Sequence, residues 1–112
     1  MGATEQLCLP YQQAIELIGK RWTGVIIMVL LEGPRRFNEI AERVEGASDR
    51  MLSERLKELE ADAIVTRQSY AETPPRVEYA LTEKGRALLP IIAEMRQYGR
   101  TWLPDEHGVE HD

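Results

Sequence analysis

The stretch FNEIAERVEGASDRMLSERLKELEAD, residues 37–62, decides the fold. Phe37, Ile40, Ala41 and Val44 are spaced by 3, 1 and 3, the stripe of a short helix. Glu45-Gly46-Ala47 reads as a turn. Ser48 suits an N-cap, because its hydroxyl oxygen can accept from a free backbone N–H of the first turn. From Asp49 to Asp62 the apolar positions are Met51, Leu52, Leu56 and Leu59, which puts Arg50, Ser53, Glu54 and Lys57 on the opposite face. Helix, glycine-containing turn and amphipathic helix together predict a helix–turn–helix over 37–62.

Downstream the period changes. Residues 64–70 are rich in β formers and run into Ala71-Glu72-Thr73-Pro74-Pro75; residues 76–81, RVEYAL, then alternate polar and apolar. A hairpin, or wing, over 64–81 follows. Thr82 reads as an N-cap, and Leu88, Ile91, Ile92, Met95, Tyr98 and Trp102 restore a helical stripe over 83–103, with Pro90 predicting a kink. Upstream, Tyr11, Ala14, Ile15 and Ile18 predict a helix over 11–18, ended by Gly19. The run VIIMVLL within Trp22–Glu32 is ambiguous: β-branched content favours a strand, while length, Met and Leu favour a buried helix. Gly33-Pro34 closes it, and no internal repeat is visible.

A chain of 112 residues suits one domain, read as 1–103, followed by an acidic mobile tail, 104–112. Fourteen Lys and Arg face nineteen Asp and Glu, for a charge of −5. Without the four tail carboxylates the body carries fourteen basic and fifteen acidic side chains, a charge of −1. Nucleic-acid binding therefore has to rest on a local basic surface, because whole-molecule attraction is absent. The longest uninterrupted apolar run, Val25 to Leu31, is far too short for a membrane span, so no membrane partner is expected. One cysteine forms no internal disulfide, and no metal-ligand cluster or cofactor motif is seen. A cytoplasmic location is the default. Both histidines lie in the tail, and neither a G-x-S-x-G nucleophile nor a glycine-rich phosphate loop is present, which argues against an enzyme.

The blocks GPRRFNEI (33–40), SDRMLSERLKELE (48–60) and PPRVEYALTEKG (74–85), with IELIGKRWTGVII (15–27) and an N-terminal cysteine, resemble one family over residues 8 to 102. They resemble the HxlR-type winged helix-turn-helix transcription regulators, whose fold is close to that of the MarR regulators. LIGKRW, RLKELE and ETP are most similar to the quinone- and diamide-responsive repressors. The resemblance implies a mainly α fold with a small β-hairpin. It also implies a homodimer formed through helices 11–18 and 83–103, with the 22–32 run as a buried helix. The helix beginning at Ser48 would enter the major groove of double-stranded DNA, with the hairpin over the neighbouring backbone. The implied function is a sequence-specific repressor.

Chemistry on the residues agrees. An arginine can give guanine O6 and N7 two hydrogen bonds, each good pair worth ~1–3 kcal/mol of discrimination. Arg50 sits two residues after the N-cap, where a recognition helix enters the groove, and Ser53 and Lys57 continue that face. Arg55 lies nearer the flank, in reach of phosphate or of a neighbouring carboxylate. Backbone N–H groups at Ser48 and Asp49 suit a phosphate. Asp49 and Glu54 oppose this, and the plainer reading of the helix alone is a solvated mixed-charge face. Arg35 and Arg36 are candidate backbone contacts, or one of them packs its stem on Trp22 or Phe37 and pairs with Glu39. Arg76 follows the stiff Pro74-Pro75 tip and is a candidate groove contact, or part of a plain turn; Arg67 on the first strand is a further candidate.

Cys8 precedes Pro10 and the expected helix start, where the dipole and free N–H groups would favour its thiolate. It resembles the sensing cysteine of the redox-responsive members. The quinone-sensing members also carry later cysteines near the C-terminus, and this chain has none. What remains is alkylation by a quinone or other electrophile, a mixed disulfide with a low-molecular-weight thiol, or Cys8 pairing with Cys8 of a partner. The alternative is a buried, inert thiol. Two further readings stay open. One is a winged helix serving protein contact; the other is control by a small effector, with Trp22, Tyr98 and Trp102 lining its pocket or simply forming core.

Overall fold

The computed structural model describes residues 2–104, and the side chains from residue 9 onward. The acidic tail from residue 105 lies outside the described residues. Helix α1 spans Gly2–Gly19 and α2 Thr23–Val29, followed by a 3-10 turn, Leu30–Glu32. Strand β1 (Arg35–Arg36) leads into α3 (Phe37–Arg43), then α4 (Asp49–Ala61), β2 (Val65–Tyr70), β3 (Arg76–Leu81), α5 (Glu83–Arg86) and α6 (Leu89–Trp102). This is a winged helix-turn-helix: α3 and α4 with the Gly46 turn between them, then the β2–β3 wing. The ambiguous 22–32 run is helical.

The predicted caps form. Ser48 Oγ accepts from the Met51 N–H at 3.1 Å, and Thr82 Oγ1 from the Gly85 N–H at 2.9 Å. The core is the sum of the predicted stripes: Ile26, Ile27 and Leu30, Ile40 and Val44, and Leu52, Leu56 and Leu59 are all buried. Ile64, Val65, Leu81 and Ile92 close it from the wing and α6. Met51, counted on the apolar face of α4, is instead exposed.

Three expectations change. The sheet has three strands, in the order β1-β3-β2, all antiparallel. Arg35 and Arg36 pair with Tyr79 and Glu78, a two-residue strand too short to show a period. The C-terminal stretch is two helices rather than one kinked helix, with Pro90 in the first turn of α6, where its missing N–H costs no intrahelical bond. Helix α1 begins at Gly2 and runs through Pro10 instead of starting after it. Proline's fixed φ is itself helical, so Pro10 removes one hydrogen bond without ending the helix.

Candidate nucleic-acid interface

The exposed face of α4 and the wing strands bound a shallow groove of about 680 Å³. Arg50, Ser53, Glu54 and Lys57 line it from α4, Arg67, Val77 and Tyr79 from the wing, with Phe37 and Asp49 completing the wall. Arg50, Lys57 and Arg67 set three positive charges against Asp49 and Glu54, a local excess of +1 on a body of −1. Burial explains why these side chains face outward. Leu52, Leu56 and Leu59 anchor α4 to the core, so helical geometry turns residues 50, 53, 54 and 57 toward solvent. Arg50 is 88% exposed and its Nε lies 3.3 Å from Glu54 Oε2, a loose pair one helical turn apart.

The other sequence candidates fall in different places. Ser48 is spent as a cap acceptor, although its O–H hydrogen is still free to donate. Arg36 is exposed; its backbone N–H donates to Glu39 Oε1 at 2.9 Å, so the pairing expected of a guanidinium is made by the main chain. Arg35 is mostly covered and pairs with Glu32 at 2.8 Å. Arg76 lies over the Tyr70 ring at 4.2 Å and pairs with Glu72 at 3.1 Å, folded back on its own wing. Arg55 is the main correction. Its side chain is 16% exposed, its Nε donates to the Arg21 carbonyl at 2.9 Å, and its Nη1 pairs with Glu58. The carboxylate alternative is the one realised, and Arg55 does not line the groove. Arg67, by contrast, is drawn into the groove: it stands opposite Tyr79 in the β2–β3 register.

Sequence reasoning missed what holds α4 from behind. Glu58 takes both Lys20, at 3.2 Å, and Arg55, and these two cations hold its carboxyl below the ordinary value of 4.5. Trp22 has φ +77, a left-handed conformation uncommon for a bulky residue, at the sharp bend between α1 and α2. Its ring packs beneath the helix–turn–helix turn, within 3.2 Å of where a Cβ on Gly46 would stand, and Arg21 stacks on it at 4.6 Å. Trp22 is thus part of the frame, while Tyr98 and Trp102 are exposed on α6; the three do not converge on a pocket. The only sequence signal for this frame was the Gly19-Lys20-Arg21 helix end. Cys8 lies inside α1, six residues beyond its start, out of reach of a dipole effect that fades within the first turn. Its side chain lies outside the described residues.

A winged helix-turn-helix whose capped second helix carries arginine, serine and lysine outward defines a DNA-binding transcriptional regulator rather than an enzyme. The comparisons name the family. A family model described as HxlR-like helix-turn-helix matches residues 17–107, and the chain belongs to that family. It is 51% identical to the HTH-type transcriptional regulator YodB of Bacillus subtilis over 98 residues, covering 88% of this chain and 86% of YodB. It is 43% identical to the regulator YvaP of the same organism, covering 88% and 91%. The structure of reduced YodB matches with a TM-score of 0.78 at 48% identity, over 91% of this chain and 98% of that one. YodB has also been solved diamide-treated and quinone-bound. The oxidised redox regulator HypR matches with a TM-score of 0.79 at 40% identity, over 86% and 99%.

Among the described residues no helix is long and apolar enough to cross a membrane.

Proposed function

We infer that this protein is a homodimeric cytoplasmic repressor that reads a pseudo-palindromic operator with α4 and steadies it with the wing. The observation that carries this reading is the groove in which Arg50, Ser53 and Lys57 of α4 face Arg67 of the wing. Arg50 reads guanine, Lys57 and Arg67 take phosphates, and the free N–H groups at Ser48 and Asp49 hold another. Arg36 is exposed on the same helix–turn–helix unit and is a further backbone contact. Arg35, Arg55 and Arg76 shape the surface through their internal partners.

Support for the dimer comes from apolar surface exposed on α1 and α6 among the described residues. Tyr11, Ile15, Ile91, Met95, Tyr98 and Trp102 are all exposed, and α1 and α6 share an apolar groove of about 360 Å³. Contiguous apolar surface of this kind marks an interaction site. Two-fold pairing places half-site centres one helical turn apart, ~34–36 Å, or a multiple of it. Cys8, the single cysteine, lies on this same α1. Its oxidation or alkylation would act by changing how α1 packs, and so the spacing of the two α4 helices.

Selection of fragments from genomic DNA by the thiol-protected protein, then titration of the selected duplex, tests the reading. Wild type prefers the selected duplex, and Arg50→Ala loses the preference. Equal binding to all duplexes, or an unchanged preference in Arg50→Ala, overturns it. Gel-shift titration of wild type and Cys8→Ser with diamide or a quinone tests the switch; equal loss of DNA by both proteins rules Cys8 out.

A further inference from the structure

Glu54 is out of place on a surface read as DNA-facing. It lines the groove between α4 and the wing beside Arg50, Ser53 and Lys57, and its side chain is 61% exposed. A carboxylate there repels the phosphates of a duplex. Asp49, the other carboxylate of the groove, lies in the first turn of α4, where the helix dipole favours negative charge. Glu54 lies further along the helix and has no such role. Helix stability does not account for it either. Its one ion pair among the described residues is with Arg50, four positions earlier, and an acid that follows its base is the weaker of the two orders. Lys57 is within reach by helical spacing, yet neither Lys57 nor Arg67 is ion-paired among the described residues.

The Nε–H of Arg50 donates to Glu54 Oε2 at 3.3 Å. A guanidinium has five N–H donors, so the terminal edge stays free, with one N–H from each Nη lying parallel. That edge fits guanine O6 and N7. Arg50 is 88% exposed, and a side chain so free loses rotamer entropy when a base fixes it. A partner on Nε restricts the last torsions beforehand and removes part of that cost. In water such a pair is weak. Against a duplex, with water displaced, the local dielectric falls and the same pair strengthens. We propose that Glu54 is a positioning residue for Arg50. It holds the Nε–H so that both Nη groups meet guanine together, which raises sequence discrimination while lowering general affinity for DNA. This rests on Arg50 as the guanine reader and adds a second residue to that reading.

Titrations of the selected duplex and of a random duplex test it, with 7-deazaguanine, which lacks the N7 acceptor, placed at one guanine at a time. The guanine whose replacement weakens wild type but not Arg50→Ala is the one Arg50 reads. In Glu54→Ala, preference for the selected over the random duplex is expected to fall about three- to tenfold. The 7-deazaguanine penalty at that guanine shrinks with it, while the random duplex binds at least as tightly as to wild type. Glu54→Gln, whose amide oxygen still accepts the Nε–H, keeps more of the preference and of the penalty. Full preference and full penalty in Glu54→Ala overturn the proposal and leave Arg50 as the reader. Equal losses on both duplexes overturn it by making Glu54 a support of α4 itself. Lost preference with the guanine penalty intact gives Glu54 a base contact of its own, and also overturns it. If no guanine separates wild type from Arg50→Ala, the Arg50 reading fails and this proposal with it.

Discussion

Arg55 Nε donates to the Arg21 carbonyl oxygen at 2.9 Å, which ties the middle of α4 to the bend between α1 and α2. Glu58, one turn further along α4, reaches the same bend through Lys20. Trp22 supports the helix–turn–helix turn from the same three-residue corner. The helix whose outer face carries Arg50, Ser53 and Lys57 is therefore set by the junction at which α1 ends. A change in how α1 packs has a direct mechanical route to α4.

Arg55 and Lys57, two residues apart, should behave oppositely. Arg55→Ala removes a covered side chain and the donor to the Arg21 carbonyl oxygen, so stability should fall by ~1–3 kcal/mol in urea unfolding. Lys57→Ala removes an exposed side chain and should leave stability within ~0.5 kcal/mol. In DNA titrations the same substitution should flatten the plot of log K against log salt by ~0.9, one phosphate's worth. Equal stability losses in the two variants would contradict the division between frame and reading face.

Glu58 adds a pH signature. Its carboxyl is held low in the folded protein by Lys20 and Arg55, so its contribution is present above the ordinary value of 4.5 and is lost as pH falls through the lowered folded value. Glu58→Gln should therefore be less stable than wild type at pH 7, by up to about 1 kcal/mol for this half-exposed group. The two proteins should converge in thermal melts once the pH has fallen through that lowered value. A difference that persists undiminished into acid would show that the ion pairs are not its source.

Met95 is 54% exposed in the single chain, so Met95→Lys should leave the fold intact. The lysine would bury an unpaired charge in any partner seated on the α1–α6 groove, and sedimentation velocity should report monomers. Affinity for the selected duplex should then drop by ~10²-fold or more, the gain that comes from linking two half-site readers. A Met95→Lys dimer with unchanged affinity would move the interface elsewhere.

Gly85 is a packing requirement. A Cβ there would stand 2.3 Å from the Ile64 carbonyl oxygen, a backbone atom on the entry to the wing. Gly85→Ala should cost ~2–3 kcal/mol, the upper range for overpacking. Gly24→Ala, helical and with nothing within 4 Å, should be neutral or stabilising by up to ~1 kcal/mol. Circular dichroism melts of the two variants check the contrast.

Much of this architecture is legible residue by residue because its signals are local. The stripe through Leu52, Leu56 and Leu59, the Ser48 and Thr82 caps and the alternation of RVEYAL each depend on a few neighbouring side chains, and α4 and β3 form within a residue or two of their expected bounds. The outward face of α4 follows from the same stripe, so Arg50, Ser53 and Lys57 could be named from periodicity.

Periodicity gives a side chain's angle around its own helix but not what another element brings to meet it. Arg55 and Arg76 carry the same charge as Arg50, yet the Arg21 carbonyl, far back in the chain, claims Arg55, and Tyr70, paired with it across the hairpin, claims Arg76. Strand β1 exists because β3 offers an edge to Arg35 and Arg36, and Arg67 faces the groove because Tyr79 stands across from it. Local pattern settles which elements form and which face each one buries. The pairing of charges, the strand edges and the two grooves arise from contacts between parts of the chain far apart in order, and those contacts form only when the elements pack.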